Sequence, residues 1–282
     1  MKNYLSERLA QIKPSPTIAI SDKARELRAA GEDVISLSQG EPDFETPEHI
    51  KAAAIQAMQN GQTRYTAVDG IPELKQAIRE KFDQDNGLSY EPSQISVSTG
   101  GKQVLYNAFM ATLNAGDEVI IPAPYWVSYP DMVVLGEGRP VFAPCLATND
   151  FKLTAEELEA AITPMTSWLI LNSPSNPTGS VYTQSELKAL AEVLLRHPQI
   201  LIMSDDIYEH LIYGDAEFST LAQVEPELIS RTLTCNGMSK AYCMTGWRVG
   251  FAGGPEPLIR AMAKLQSQST LSLIHISEPT RR

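Results

Sequence analysis

Short apolar runs alternate with amphipathic stretches from about residue 95 to residue 251, and polar, glycine-bearing segments fall where the runs end. That alternation predicts an α/β fold on a mainly parallel seven-stranded sheet with helices on both faces. The length of 282 residues adds the expectation of one large domain with an appended or incomplete second one, since single cores rarely outgrow about 250–300 residues.

In chain order, Gln39-Gly40-Glu41-Pro42-Asp43 is a turn-rich interruption and marks a boundary near residues 40–50. Thr46-Pro47-Glu48 then opens a helix with Thr46 as capping residue, its apolar face running through Ile50, Ala54, Ala57 and Met58 until Gly61 stops it. Pro72 opens another, which ends before Gly87. Strands are expected at 95–98, 118–121, 140–142, 168–171, 200–204, 232–235 and 248–252, short and apolar as buried parallel strands are. Helices are expected at 102–113, 128–135, 155–161 and 184–195.

Composition narrows the ligands. Hydrophobic residues at 43% and charged residues at 20% describe an ordinary globular chain. A net charge of −11 with no basic stripe argues against nucleic acid and for small molecules. No apolar run approaches the roughly 20 residues of a membrane helix, and Met1-Lys2-Asn3-Tyr4-Leu5 lacks a signal core, so a cytoplasmic protein without membrane contact is expected. Cys145, Cys235 and Cys243 are scattered, with no C-x-x-C pair, and indicate neither a disulfide framework nor a metal site.

Several strand ends carry chemistry. Ser98-Thr99-Gly100-Gly101-Lys102-Gln103 follows a strand and opens a helix, where backbone amides face an anion, although a glycine pair is also a plain turn. Asn172-Ser173-Pro174-Ser175-Asn176-Pro177-Thr178-Gly179 follows another, at the end where doubly wound sheets place ligands; Asn-Pro also suits an ordinary turn or a cis bond. Asp205 is a candidate buried carboxylate or, alternatively, a helix N-cap; Asp206 competes, but Asp205 has the three-residue step to Tyr208. Finally Lys240, in Ser239-Lys240-Ala241-Tyr242, has Arg248 eight positions on. A lysine amine, a carboxylate and an anion seat are what a phosphorylated aldehyde cofactor needs.

Together, in this order, these segments resemble the class I aminotransferases of the fold-type I pyridoxal phosphate enzymes. The resemblance is densest in Gly40-Glu41-Pro42-Asp43-Phe44, Pro124-Tyr125-Trp126-Val127-Ser128-Tyr129, residues 172–179 and residues 239–250. Within the family it points to bacterial aspartate aminotransferases, some of which also act on prephenate. The resemblance implies a pyridoxal phosphate-binding large domain over residues 46–270, preceded by an arm and part of a small domain over residues 1–45. It implies Lys240 as the Schiff-base lysine and base, Asp205 on the pyridinium, and Asn176 and Tyr208 on the ring oxygen. Trp126 would stack on the ring, with Gly100, Gly101, Lys102 and Arg248 on the phosphate. Tyr65 would reach the phosphate of a neighbouring subunit, hence a homodimer. Gly40, Trp126, Asn176, Lys102, Ser15, Thr17 and Lys13 would read the substrate.

Some features depart from the family pattern. Gly237 stands where many relatives carry serine, and Pro16 replaces an alanine. No counterpart is found for the C-terminal small domain with the arginine that clamps the substrate α-carboxylate, so little transamination is expected of this chain. Residues 271–281 closely resemble an in-frame translation of a transposase sequencing adapter, which sets residues 271–282 apart as an artefact. The expected activity is transfer of the amino group of aspartate to 2-oxoglutarate. Glutamate- or aspartate-prephenate transamination and a non-catalytic effector-sensing domain are the alternatives.

Overall fold

The computed structural model describes residues 4–14 and 16–270. Ser15 and residues 271–282, and with them the expectation of an adapter-derived tail, lie outside the described residues.

All seven expected strands form, as β1 (Ile95–Thr99), β2 (Glu118–Ala123), β3 (Arg139–Pro144), β4 (Thr166–Asn172), β5 (Leu201–Asp205), β6 (Thr232–Gly237) and β7 (Val249–Gly253). They make one sheet in the order β1-β7-β6-β5-β4-β2-β3. Only β7 is reversed, antiparallel to both β1 and β6, while the other pairs are parallel. The carboxyl ends of the other six therefore share one edge with the start of β7.

Residue alternation along the strands explains why both faces are covered. Val119, Ile121, Trp168, Ile170 and Met203 face one core, which is closed by α4 (Gly101–Thr112), α5 (Ser128–Leu135) and α9 (Glu256–Gln266). Ile120, Leu169, Leu171 and Ile202 face the other, packed by α6 (Ala155–Ala161) and α7 (Gln184–Leu195). A third cluster joins α2 (Glu48–Gln59) and α3 (Pro72–Asn86) to β1 and β7 through Ile50, Leu74, Ile78, Phe82, Val97 and Phe251. Local chemistry sets several boundaries. Thr154 with Glu157 and Thr183 with Glu186 form capping boxes that start α6 and α7, and Gly87 ends α3 in the left-handed region.

The structure corrects three expectations. Thr46 does not cap α2; Pro47 does, and the Thr46 hydroxyl instead donates to the Cys243 carbonyl at 2.6 Å and accepts from Trp247 Nε1 at 3.1 Å. Met58 is exposed, on the wall of an open groove of about 810 Å³ that it shares with Phe44, Ile55 and Trp247. Arg248 precedes β7 rather than joining it, because its backbone turns left-handed at φ 57°. Three helices stand outside the segments expected from sequence, α1 (Pro16–Ala29), the single turn α8 (Leu221–Val224) and α9, whose Leu258, Ile259 and Met262 recur at helical spacing on the sheet. Among the described residues no helix is long and apolar enough to cross a membrane.

Candidate active site

The segments after β1, β2, β4, β5 and β6, and the one before β7, open on the shared edge. After β1, Gly100 adopts φ 79° and Gly101 begins α4, so the first amides of that helix point outward, as an anion seat requires. The Arg248 guanidinium lies over the turn. A Cβ on Gly100 would stand 2.2 Å from its Nη2, so a side chain there would displace the guanidinium, and the left-handed backbone itself favours glycine.

Beneath the turn runs β7, where a Cβ on Gly250 would come within 2.2 Å of the Gly101 nitrogen and 2.3 Å of the Gly100 carbonyl carbon. Gly250→Ala is therefore expected to push the turn off its seat, weakening phosphate binding there about tenfold and costing about 1–3 kcal/mol of stability. Titration with inorganic phosphate and thermal unfolding of the variant measure both effects. Gly237 is similarly confined, since a Cβ there would lie 3.0 Å from the Val249 carbonyl oxygen.

Lys240 projects from the loop after β6. Its Nζ donates to the Gly40 carbonyl and sits 5.8 Å from the centre of the Tyr208 ring. Burial lowers its pKa, with Arg248 acting in the same sense and the Glu41 carboxylate opposing. Glu41 also accepts from the Thr245 hydroxyl at 2.6 Å, so the N-terminal arm is tied to the lysine loop. Further along the edge Asn176 Nδ2 donates to the Tyr208 hydroxyl at 3.4 Å. Asn172 bridges β4 and β5, accepting from the Asn176 amide and donating to the Asp205 carbonyl, both at 2.8 Å. The peptide bonds before Pro124, Pro174 and Pro177 are cis.

Asp205 ends β5 as a buried carboxylate and caps no helix. Burial raises its pKa to about 6, tempered by hydrogen bonds from Tyr129 and the Ile207 amide. Asp206 faces away, its Oδ1 accepting from the Ser204 hydroxyl at 2.8 Å, and burial raises it to about 7. Trp126 packs edge-on to Tyr129, and Lys102 Nζ lies 4.9 Å from the Trp126 ring centre. Lys102 is depressed chiefly by burial and then by Arg248. Two cations that disfavour each other's charge beside a row of amides are relieved by a bound phosphate. Thr99 Oγ1, buried without a hydrogen-bond partner among the described residues, adds an unspent polar atom next to the same turn. These observations fit a phosphorylated aldehyde with a ring nitrogen.

The structure thus gathers Gly40, Gly100, Gly101, Lys102, Trp126, Asn176, Asp205, Tyr208, Lys240 and Arg248 at one edge. Lys13 is exposed, Thr17 uses its carbonyl to accept from Ser21, and neither is hydrogen-bonded to that group among the described residues. Tyr65 is 85% exposed. Residues the motifs did not single out include Asn172, Tyr129, Glu41 and Thr245; the repeated placement at strand ends was a usable signal for Asn172.

A family model described as aminotransferase class I and II matches residues 32–279. The aspartate/prephenate aminotransferase of Cereibacter sphaeroides is 66% identical over 275 residues, covering 98% of this chain and 69% of that protein. The aspartate aminotransferase of Rhizobium meliloti is 55% identical, and its crystal structure superposes with a TM-score of 0.93 over 97% of this chain and 69% of that one. The Thermus thermophilus aspartate aminotransferase with maleate gives 0.93 at 48% identity, covering 97% and 70%.

Proposed function

Because the chain belongs to the class I and II aminotransferases, a pyridoxal phosphate family, we propose that it serves to move the amino group of L-aspartate to 2-oxoglutarate. The observation that carries this reading is the placing of the Lys240 amine between an anion seat and a buried carboxylate on one sheet edge, in a chain so similar to aspartate aminotransferases.

Bound pyridoxal phosphate supplies an aldehyde for the lysine and a ring that withdraws electrons from the substrate α-carbon. Gly100, Gly101, Lys102 and Arg248 would hold its phosphate. Asp205 would pair with the ring nitrogen, Asn176 and Tyr208 with the ring oxygen, and Trp126 would stack on the ring. Lys240, kept more neutral by burial, takes the proton from the substrate α-carbon. Gly40 offers its carbonyl at the same point. Lys102, Ser15, Thr17 and Lys13 read the substrate side chain, and Tyr65 reaches the phosphate of a second copy in a cytoplasmic homodimer. The division into an arm (residues 1–45), a cofactor domain (46–270) and an adapter-derived tail (271–282) completes the proposal.

The chain spans 69% of the Cereibacter sphaeroides relative. The test follows the bound cofactor's absorbance after adding aspartate, glutamate, prephenate or an aromatic amino acid as amino donor or acceptor. Aspartate leaving the spectrum unchanged while another substrate converts it would overturn the assignment. The name of the Cereibacter sphaeroides relative makes prephenate the second acceptor to try. An effector-sensing domain would bind these ligands and convert none.

A further inference from the structure

One buried contact lies behind the site rather than in it. The Tyr129 hydroxyl donates to Asp205 Oδ2 at 2.7 Å, and both side chains are buried. Tyr129 sits in the first turn of α5, three residues after Trp126, and the two rings meet edge to face with centres 5.3 Å apart. One short segment after β2 therefore sets both the wall of the pocket and the partner of its carboxylate.

We propose that Tyr129 is a positioning residue for the transamination site: its hydroxyl fixes the orientation and the negative charge of Asp205 toward the cofactor's ring nitrogen. The inference rests on the reading of Asp205 as that nitrogen's partner. The phenol bonds Oδ2, one of the two oxygens the carboxylate would offer the ring. A buried carboxylate without donors protonates rather than stay charged, and a hydrogen bond to the charged form opposes that. Tyr129 suits the task because burial, followed by the Asp205 charge, pushes its own ionisation well above the usual 10, leaving it a proton donor throughout the working range. The other groups facing Asp205 do not replace it. The Ile207 amide donates too, while Tyr208 in the following turn and Cys235 on β6 are acids whose ionisation Asp205 opposes.

The test compares Tyr129→Phe with the parent chain, which keeps the ring and removes only the donor. In the cofactor-free protein the Asp205 carboxyl, followed by infrared or NMR titration, is expected to titrate about one unit or more higher, the tenfold scale of a charge-assisted hydrogen bond. Pyridoxal phosphate affinity should fall about tenfold at pH 5, below both midpoints, and about twofold near pH 7, the gap closing toward pH 9, where Asp205 ionises unaided. A packing role would give a loss independent of pH. In an Asp205→Asn background Tyr129→Phe should add nothing. Should the phenylalanine variant not fold, 3-fluorotyrosine incorporated at position 129, a stronger donor, is expected to move the Asp205 midpoint down. An unmoved midpoint in a folded variant, or a pH-independent loss, overturns the role of Tyr129. A shifted midpoint with affinity unaffected by Asp205→Asn overturns instead the reading of Asp205 on the ring nitrogen, and the inference with it.

Discussion

Lys240→Ala is expected to abolish covalent capture of pyridoxal phosphate and to lower the conversion of bound cofactor by aspartate by at least about ten-thousandfold. Two losses combine. Removing the amine removes the nucleophile for the aldehyde, and proton transfer by a positioned base alone contributes roughly 10²–10⁴. The rival amine is Lys102, which is also depressed by burial and by Arg248 and stands against Trp126. Its Nζ belongs to the helix that receives the phosphate, so the aldehyde end of the same molecule is aimed away from it. Borohydride reduction of the loaded protein, followed by peptide mass analysis, should place the label on Lys240 and leave Lys240→Ala unlabelled. Lys102→Ala should remain labelled while binding the cofactor more weakly. A label on Lys102 in the parent chain would sink the assignment of Lys240.

The strands were legible because buried runs such as 119–121 and 168–171 admit little but apolar residues and are followed by proline or asparagine. Their common direction at the ligand edge followed from the alternation with helices, whereas the reversal of β7 did not, since nothing in an isolated five-residue run records its partner. In the site, Lys240, Asp205 and the glycine turn were legible as residue types at strand ends. Thr46 misled because threonine before Pro-Glu looks like a cap by local rules, while its hydroxyl is claimed by Cys243 and Trp247, about 200 positions away in sequence. Long-range partners of this kind also hid Tyr129, 76 positions from Asp205, and the ion pairs around Glu209.

Glu209→Ala is expected to destabilise the fold by about 3–5 kcal/mol, the range for stranding a buried charge, or roughly ten degrees in Tm. Glu209 directly follows Tyr208 and is buried. Its carboxylate pairs with Lys81 of α3 and accepts from Asn86 and from Asn236 of β6, both at 2.8 Å, with His210 Nε2 at 3.3 Å. Asp85, Glu209 and His210 gather as metal ligands do, but the Lys81 ammonium already pairs with that carboxylate. Burial alone would raise the Glu209 carboxyl; hydrogen bonds from His210, Asn86 and Lys81 and the Lys81 charge hold it at about 2. A depressed acid stabilises above its ordinary value of about 4.5 and loses that contribution as pH falls toward 2, so the gap between parent and variant should close in that window. Asp205 and Asp206 have the opposite sign: raised to about 6 and 7, they favour the folded state at low pH and lose that contribution as pH climbs from about 4 through those values. Urea unfolding at pH 3 and pH 7 separates the two behaviours. Glu209→Gln, which keeps an acceptor for Lys81, should lose distinctly less than Glu209→Ala at pH 7. Equal losses would mean that the charge alone, rather than side-chain volume or a neutral acceptor, holds Tyr208 and the start of the lysine loop in place.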